Sequence, residues 1–107
     1  MLAKKFRLPI QSFHRLRARS ANGHYFSYKN VPNNLPYSRF GAILSRRTEK
    51  RAVRRNKMRR IIFDHVRSGN LHHNPGYDFL IIARPEAFTA RKQEIEAELN
   101  RFLNPNS

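Results

Sequence analysis

The sequence predicts a small α+β domain, a single sheet with helices packed on it, and three observations carry the prediction. Two apolar runs of strand length, residues 39–45 and 77–84, flank a long segment whose apolar positions recur with helical period. A helix joining two strands makes them parallel neighbours in one sheet, since such a connection is far longer than a hairpin. An aromatic, partly alternating run at residues 24–29 supplies a further strand, and an amphipathic segment after Thr89 supplies a last helix. With 107 residues, one domain spanning 1–107 is expected, with 1–8 as a basic arm and 104–107 as a short tail.

Ser12 is placed to cap a short helix carrying Phe13 and Leu16, with Arg15, Arg17 and Arg19 around it. Asn22-Gly23 marks a turn. In the strand that follows, Phe26 and Tyr28 face away from Tyr25, Ser27 and Lys29. A loop rich in Pro and Asn runs from Asn30 to Pro36, and residues 39–45 read as a buried strand. Helical period sets in from Thr48. Met58, Ile61, Ile62 and His65 form the core stripe, and Asn56, Lys57 and Arg60 lie opposite with Val53. Gly69-Asn70 stops this helix near Ser68, and Asn74-Pro75-Gly76 is a turn before the central strand at 77–84. Thr89 is a suitable N-cap for the last helix, whose Ile95, Leu99, Phe102 and Leu103 share one face.

Charge points to the partner. The chain carries +15, of which residues 1–60 hold +16 and residues 61–107 hold −1. The second part therefore reads as ordinary solvated scaffold. Nine of the fifteen residues from Arg46 to Arg60 are Lys or Arg. Like charges three and four apart, as at Arg47/Arg51, Arg51/Arg55 and Arg55/Arg59, cost a helix about 0.2–0.5 kcal/mol per pair. Only Glu49 is at hand to offset them. Such a helix is a surface for a polyphosphate, RNA or DNA. Arg outnumbers Lys sixteen to six, which favours forked phosphate contacts and base stacking over loose neutralisation.

Other chemistries find little support. There is no cysteine, hence no disulfide or thiolate site. No apolar stretch approaches the roughly 20 residues of a membrane span, and Met1–Arg7 lacks the apolar core of a signal peptide. His65, His72 and His73 have no familiar metal spacing, and Glu94, Glu96 and Glu98 read as a solvated face. No nucleophile–base set or phosphate-cradling glycine loop appears, so neither catalytic nor metal-ligating residues are assigned. A nuclease built on Asp64, His65 and Asp78 would need residues that the pattern keeps apart. The aromatics Phe13, Tyr25, Phe26 and Tyr28 serve either as core or as stacking platforms for unpaired bases.

The basic helix and the strand after it resemble the protein subunit of bacterial ribonuclease P. That family carries an apolar strand ending in two basic residues, then a helix reading Ala-Val-x-Arg-Asn-Arg-x-Lys/Arg-Arg. Here Arg46-Arg47 precede Ala52-Val53-Arg54-Arg55-Asn56-Lys57-Met58-Arg59-Arg60, and Asp78-Phe79-Leu80-Ile81-Ile82-Ala83-Arg84 is similar to the family's later strand. The resemblance runs over roughly residues 5–103. Lys57 stands where the family has Arg, Arg17 where a second aromatic is common, and Lys50-Arg51 where Gly-Asn is usual. The basic C-terminal tail of many members has no counterpart.

The resemblance implies an α-β-β-β-α-β-α two-layer sandwich with a left-handed βαβ crossover. It implies a cytoplasmic endoribonuclease subunit, monomeric in a 1:1 complex with a catalytic RNA. This complex removes the 5′ leader of precursor tRNA, with Mg²⁺ held mainly by the RNA. Arg46, Arg47, Lys50, Arg51, Arg54, Arg55, Asn56, Lys57, Arg59 and Arg60 are the implied RNA contacts. Phe13, Arg17, Phe26, Tyr28, Lys29 and Arg39 are the implied leader cleft. The alternative is a structural RNA-binding protein such as a small ribosomal protein.

Overall fold

The computed structural model describes residues 2–13 and 18–103. Four strands, β1 (Arg19–Asn22), β2 (Phe26–Pro32), β3 (Arg39–Ile43) and β4 (Tyr77–Ala83), form one sheet in the order β1-β2-β4-β3. The first two pairings are antiparallel, and β3 lies parallel to β4, as the strand–helix–strand reading requires. Helix α1 (Ala52–Ser68) makes the crossover between β3 and β4, and α2 (Lys92–Leu103) closes the chain.

Alternation gives the sheet two unlike faces. Phe26, Tyr28, Phe40, Phe79 and Ile81 point to the helices and make one core with Met58, Ile62, Phe63 and Val66 of α1 and Ile95, Leu99 and Leu103 of α2. Phe40 stacks on Phe79 at 5.1 Å between centroids, and Tyr28 on Phe102 at 4.5 Å. Leu8, Phe13, Val31 and Leu80 form a smaller cluster on the other face.

Several boundaries differ from the sequence reading. The second strand begins at Phe26, not at residue 24, because the His24 and Tyr25 amides go to the Glu98 carboxylate rather than to a ladder. Thr89 ends a 3₁₀ turn, its hydroxyl donating to the Glu86 carbonyl, and the last helix starts at Lys92 with the Arg91 amide on Glu94. The core stripe of α1 is turned toward Phe63 and Val66, leaving Ile61 and His65 half-buried beside α2. Strand β1 went unread because all four residues are exposed and lack an apolar pattern. The short helix expected after Ser12 falls on residues 14–17, outside those described; Ser12 itself ends a 3₁₀ turn.

The basic arm is folded onto the body. Leu2 is buried in the main core, Arg7 bridges to Phe40, and Leu8 crosses Gly41 so closely that a Cβ there would meet the Leu8 Cβ at 3.3 Å.

Candidate nucleic-acid interface

The entry to α1 is tied by one acid and one arginine. Glu49 accepts the Arg51 amide at 3.0 Å and pairs with Arg54 at 3.2 Å. Arg55 reaches back to donate to the carbonyls of Glu49 and Lys50, at 2.8 and 2.9 Å. Upstream, the Ser45 and Thr48 hydroxyls bond at 2.8 Å and close a turn that carries Arg46 and Arg47 at its exposed tip. No side chain caps the helix at Arg51; these contacts take that role.

This arrangement sorts the ten residues assigned to RNA. Arg46, Arg47, Lys50, Arg51, Asn56, Lys57 and Arg60 are exposed, and Arg59 is half-buried, donating to the Asn56 side chain at 3.0 Å. Arg55 holds the loop while partly exposed. Arg54 is engaged within the protein: its guanidinium joins Glu49 to the Phe88 carbonyl, so it straps α1 to the segment before α2. Val53, 80 % exposed, sits among the cations.

The six cleft residues divide. Phe26 and Tyr28 are 0 % and 3 % exposed on the helix-covered face, and the Tyr28 hydroxyl donates to Glu98 at 2.7 Å. Burial, then that hydrogen bond, pushes the Tyr28 pKa up. Neither ring is available to a base, because the strand's pleat turns both away from Phe13. Arg39 is also withdrawn, forked onto Asp78 at 2.8 and 2.7 Å, a hydrogen bond that raises its pKa further. Phe13 is also buried, 7 % exposed against Leu8, Val31 and Leu80, so Lys29 is the cleft residue left half-buried on the open face; Arg17 lies outside the described residues. Register adds residues the sequence reading missed. Ser20 lies beside Lys29, and Asn22 beside Ser27, Ile82 and Ile43. Placing them requires β1, which its sequence does not announce.

A family model described as Ribonuclease P matches residues 8–105. The chain belongs to the Ribonuclease P family. It is 37 % identical over 75 residues to the ribonuclease P protein component of Dehalococcoides mccartyi, covering 70 % of this chain and 60 % of that protein. It is 30 % identical over 87 residues to that of Pelotomaculum thermopropionicum, covering 81 % and 77 %. The chain thus spans about 60 % of the length of the first curated relatives it matches. Among solved structures, the RNase P protein from Thermotoga maritima in complex with 1-(4-fluorophenyl)-2-thiourea superposes with a TM-score of 0.81 at 24 % identity, covering 92 % and 98 %. A Staphylococcus aureus RNase P protein mutant with defective mRNA degradation activity gives 0.82 at 24 %, covering 94 % and 86 %. These two establish the fold.

Within this Ribonuclease P family chain, the two candidate surfaces offer binding. The helix and its turn offer clustered cations, and the open sheet face offers Lys29 with small polar groups beside it. Among the described residues no three His, Asp or Glu side chains gather as a ligand set for a metal ion. Asp78 faces Arg39 on the open side, while Asp64 and His65 ride on α1 across the sheet; they form no joint site.

Proposed function

We propose that this chain is the protein subunit of ribonuclease P. It binds the catalytic RNA through Arg46, Arg47, Lys50, Arg51, Asn56, Lys57, Arg59 and Arg60, with Arg55 holding their loop in place. It receives the 5′ leader of precursor tRNA on the open sheet face, at Lys29 and the neighbouring Ser20. The RNA and the Mg²⁺ it carries perform the phosphodiester hydrolysis, in the cytoplasm, in a complex holding one copy of this protein. The observation that supports this most is the exposed Arg46-Arg47 turn braced against a basic helix by Glu49 and Arg55. A braced cationic surface loses little entropy on docking a fixed RNA, and its affinity falls steeply with salt.

The test is precursor-tRNA cleavage by the cognate catalytic RNA at low and high Mg²⁺, with and without this protein. Rescue at low Mg²⁺ that is lost in Arg46→Ala/Arg60→Ala supports the proposal. Tight RNA binding without rescue would favour the structural RNA-binding protein instead. Equal treatment of precursor and mature tRNA would remove the leader assignment.

A further inference from the structure

On the α2 flank of the basic helix lies a cavity of about 280 Å³. Its apolar lining comes from Met58 and Ile61 of α1 and from Phe88 before α2, and its cations are Arg54, Lys57 and Lys92. No acid lines it. A second cavity of about 440 Å³ continues along the helix, sharing Lys57, Ile61 and Lys92. There Asp64 and Glu96 enter the lining, so the anion-selective part is the first cavity.

We infer that this first cavity accepts one unpaired nucleotide of a bound RNA, its base against Met58, Ile61 and Phe88 and its phosphate at Lys57 and Lys92. The inference rests on the RNA-binding reading above and adds an occupant to it. A backbone lying on the exposed cations Lys57 and Arg60 runs along the rim of the cavity. Pockets for drug-sized ligands measure about 300–1,000 Å³, so a space just below that range suits a single base rather than a dinucleotide. Arg54 is fixed between Glu49 and the Phe88 carbonyl, so this wall of the cavity is already ordered before anything binds. Phosphate alone would need the lysines and not the apolar lining. An apolar ligand would need the lining and not the lysines. A nucleotide uses both.

The test is a methyl-detected NMR titration of the full chain with adenosine 5′-monophosphate, against inorganic phosphate at matched ionic strength. The nucleotide should shift the Met58 and Ile61 methyls, and phosphate should leave them in place. Lys92→Ala should weaken the response about two- to fivefold, the range for one exposed charge pair. Ala90→Leu, which narrows the mouth, should abolish the methyl shifts in a protein whose amide spectrum stays folded. Methyls that ignore the nucleotide, or that respond unchanged in Ala90→Leu, overturn the inference. Salt-dependent binding of wild type to the catalytic RNA, measured alongside, reports on the RNA-binding reading separately.

Discussion

Glu98 of α2 latches the β1–β2 hairpin, and a double-mutant cycle with Gly23 measures the latch. Its Oε1 accepts the amides of His24 and Tyr25 at 2.7 and 3.0 Å. Its Oε2 accepts the Phe26 amide at 3.0 Å and the Tyr28 hydroxyl at 2.7 Å. Water can replace the carboxylate at the His24 edge but reaches Phe26 and Tyr28 poorly. Hydrogen bonds to a charged group contribute about 1.5–3 kcal/mol each, so counting those two alone Glu98→Ala should cost about 3–6 kcal/mol. Gly23 lies so near that a Cβ would sit 2.3 Å from Glu98 Oε2 and 2.5 Å from its Cδ. Gly23→Ala must therefore displace the carboxylate and lose part of the same energy, about 2–3 kcal/mol. With Glu98 already truncated that clash is gone. The remaining effect is the entropic gain of Gly→Ala, about 0.4–1 kcal/mol. The double variant should thus be no less stable than Glu98→Ala alone, a coupling of about 2–4 kcal/mol. Urea unfolding of the four proteins with linear extrapolation reads this directly. Additivity within about 0.5 kcal/mol would falsify the latch.

Three further outcomes follow from the same contacts. Arg39→Ala leaves the Asp78 carboxylate, 4 % exposed, with Asn33 as its bonded side chain, and should cost about 3–5 kcal/mol. The salt slope of RNA binding should not change; a lower slope in that variant would return Arg39 to the interface. Arg46→Ala and Arg47→Ala should each flatten the salt slope by about 0.7–0.9 with stability held within about 0.5 kcal/mol. Arg54→Ala should do the reverse, visible by pairing salt titrations with urea melts. His72 is buried with Nδ1 unpartnered, and burial, then the neighbouring His73, lowers its pKa against a hydrogen bond to the Val66 backbone. The unfolded chain then takes up the proton first, so stability is full above the unfolded value near 6.5 and declines as pH falls through it. His65, also lowered by burial, adds in the same direction. The Tm should drop between about pH 7.5 and 5.5, and His72→Phe should reduce the drop; an unchanged pH dependence in that variant would clear His72 of a role.

The parts legible in the sequence are those where period and charge speak locally. The α1 and β4 segments were read to within a few residues, because continuous apolar runs and a Gly-Asn stop leave few choices. The parallel pairing of β3 and β4 came from connection length alone. The start of β2 is misplaced because a side chain far away in sequence claims backbone groups. Glu98 takes the amides that would have started β2 two residues earlier. Similarly, the cleft aromatics are those the family resemblance implies, whereas the pleat decides which face each ring occupies. Alternation does separate Phe26 and Tyr28 from Lys29, but which set meets the helices depends on where α2 packs.

The acids show how composition misleads about role. The second part of the chain, at −1, looked like solvated scaffold, yet its carboxylates are structural. Asp78 holds Arg39, Glu98 holds the hairpin, and Glu94 takes the Tyr25 hydroxyl at 2.9 Å, a hydrogen bond that lowers the Glu94 pKa. Glu49, alone among sixteen uncompensated positive charges before residue 61, is used to start α1. With these acids drawn into the fold, Asp64 and Glu96 are the acids that line the cavity beside Lys57 and Arg60. Removing an acid such as Glu98 acts on folding first, and on RNA affinity only through it.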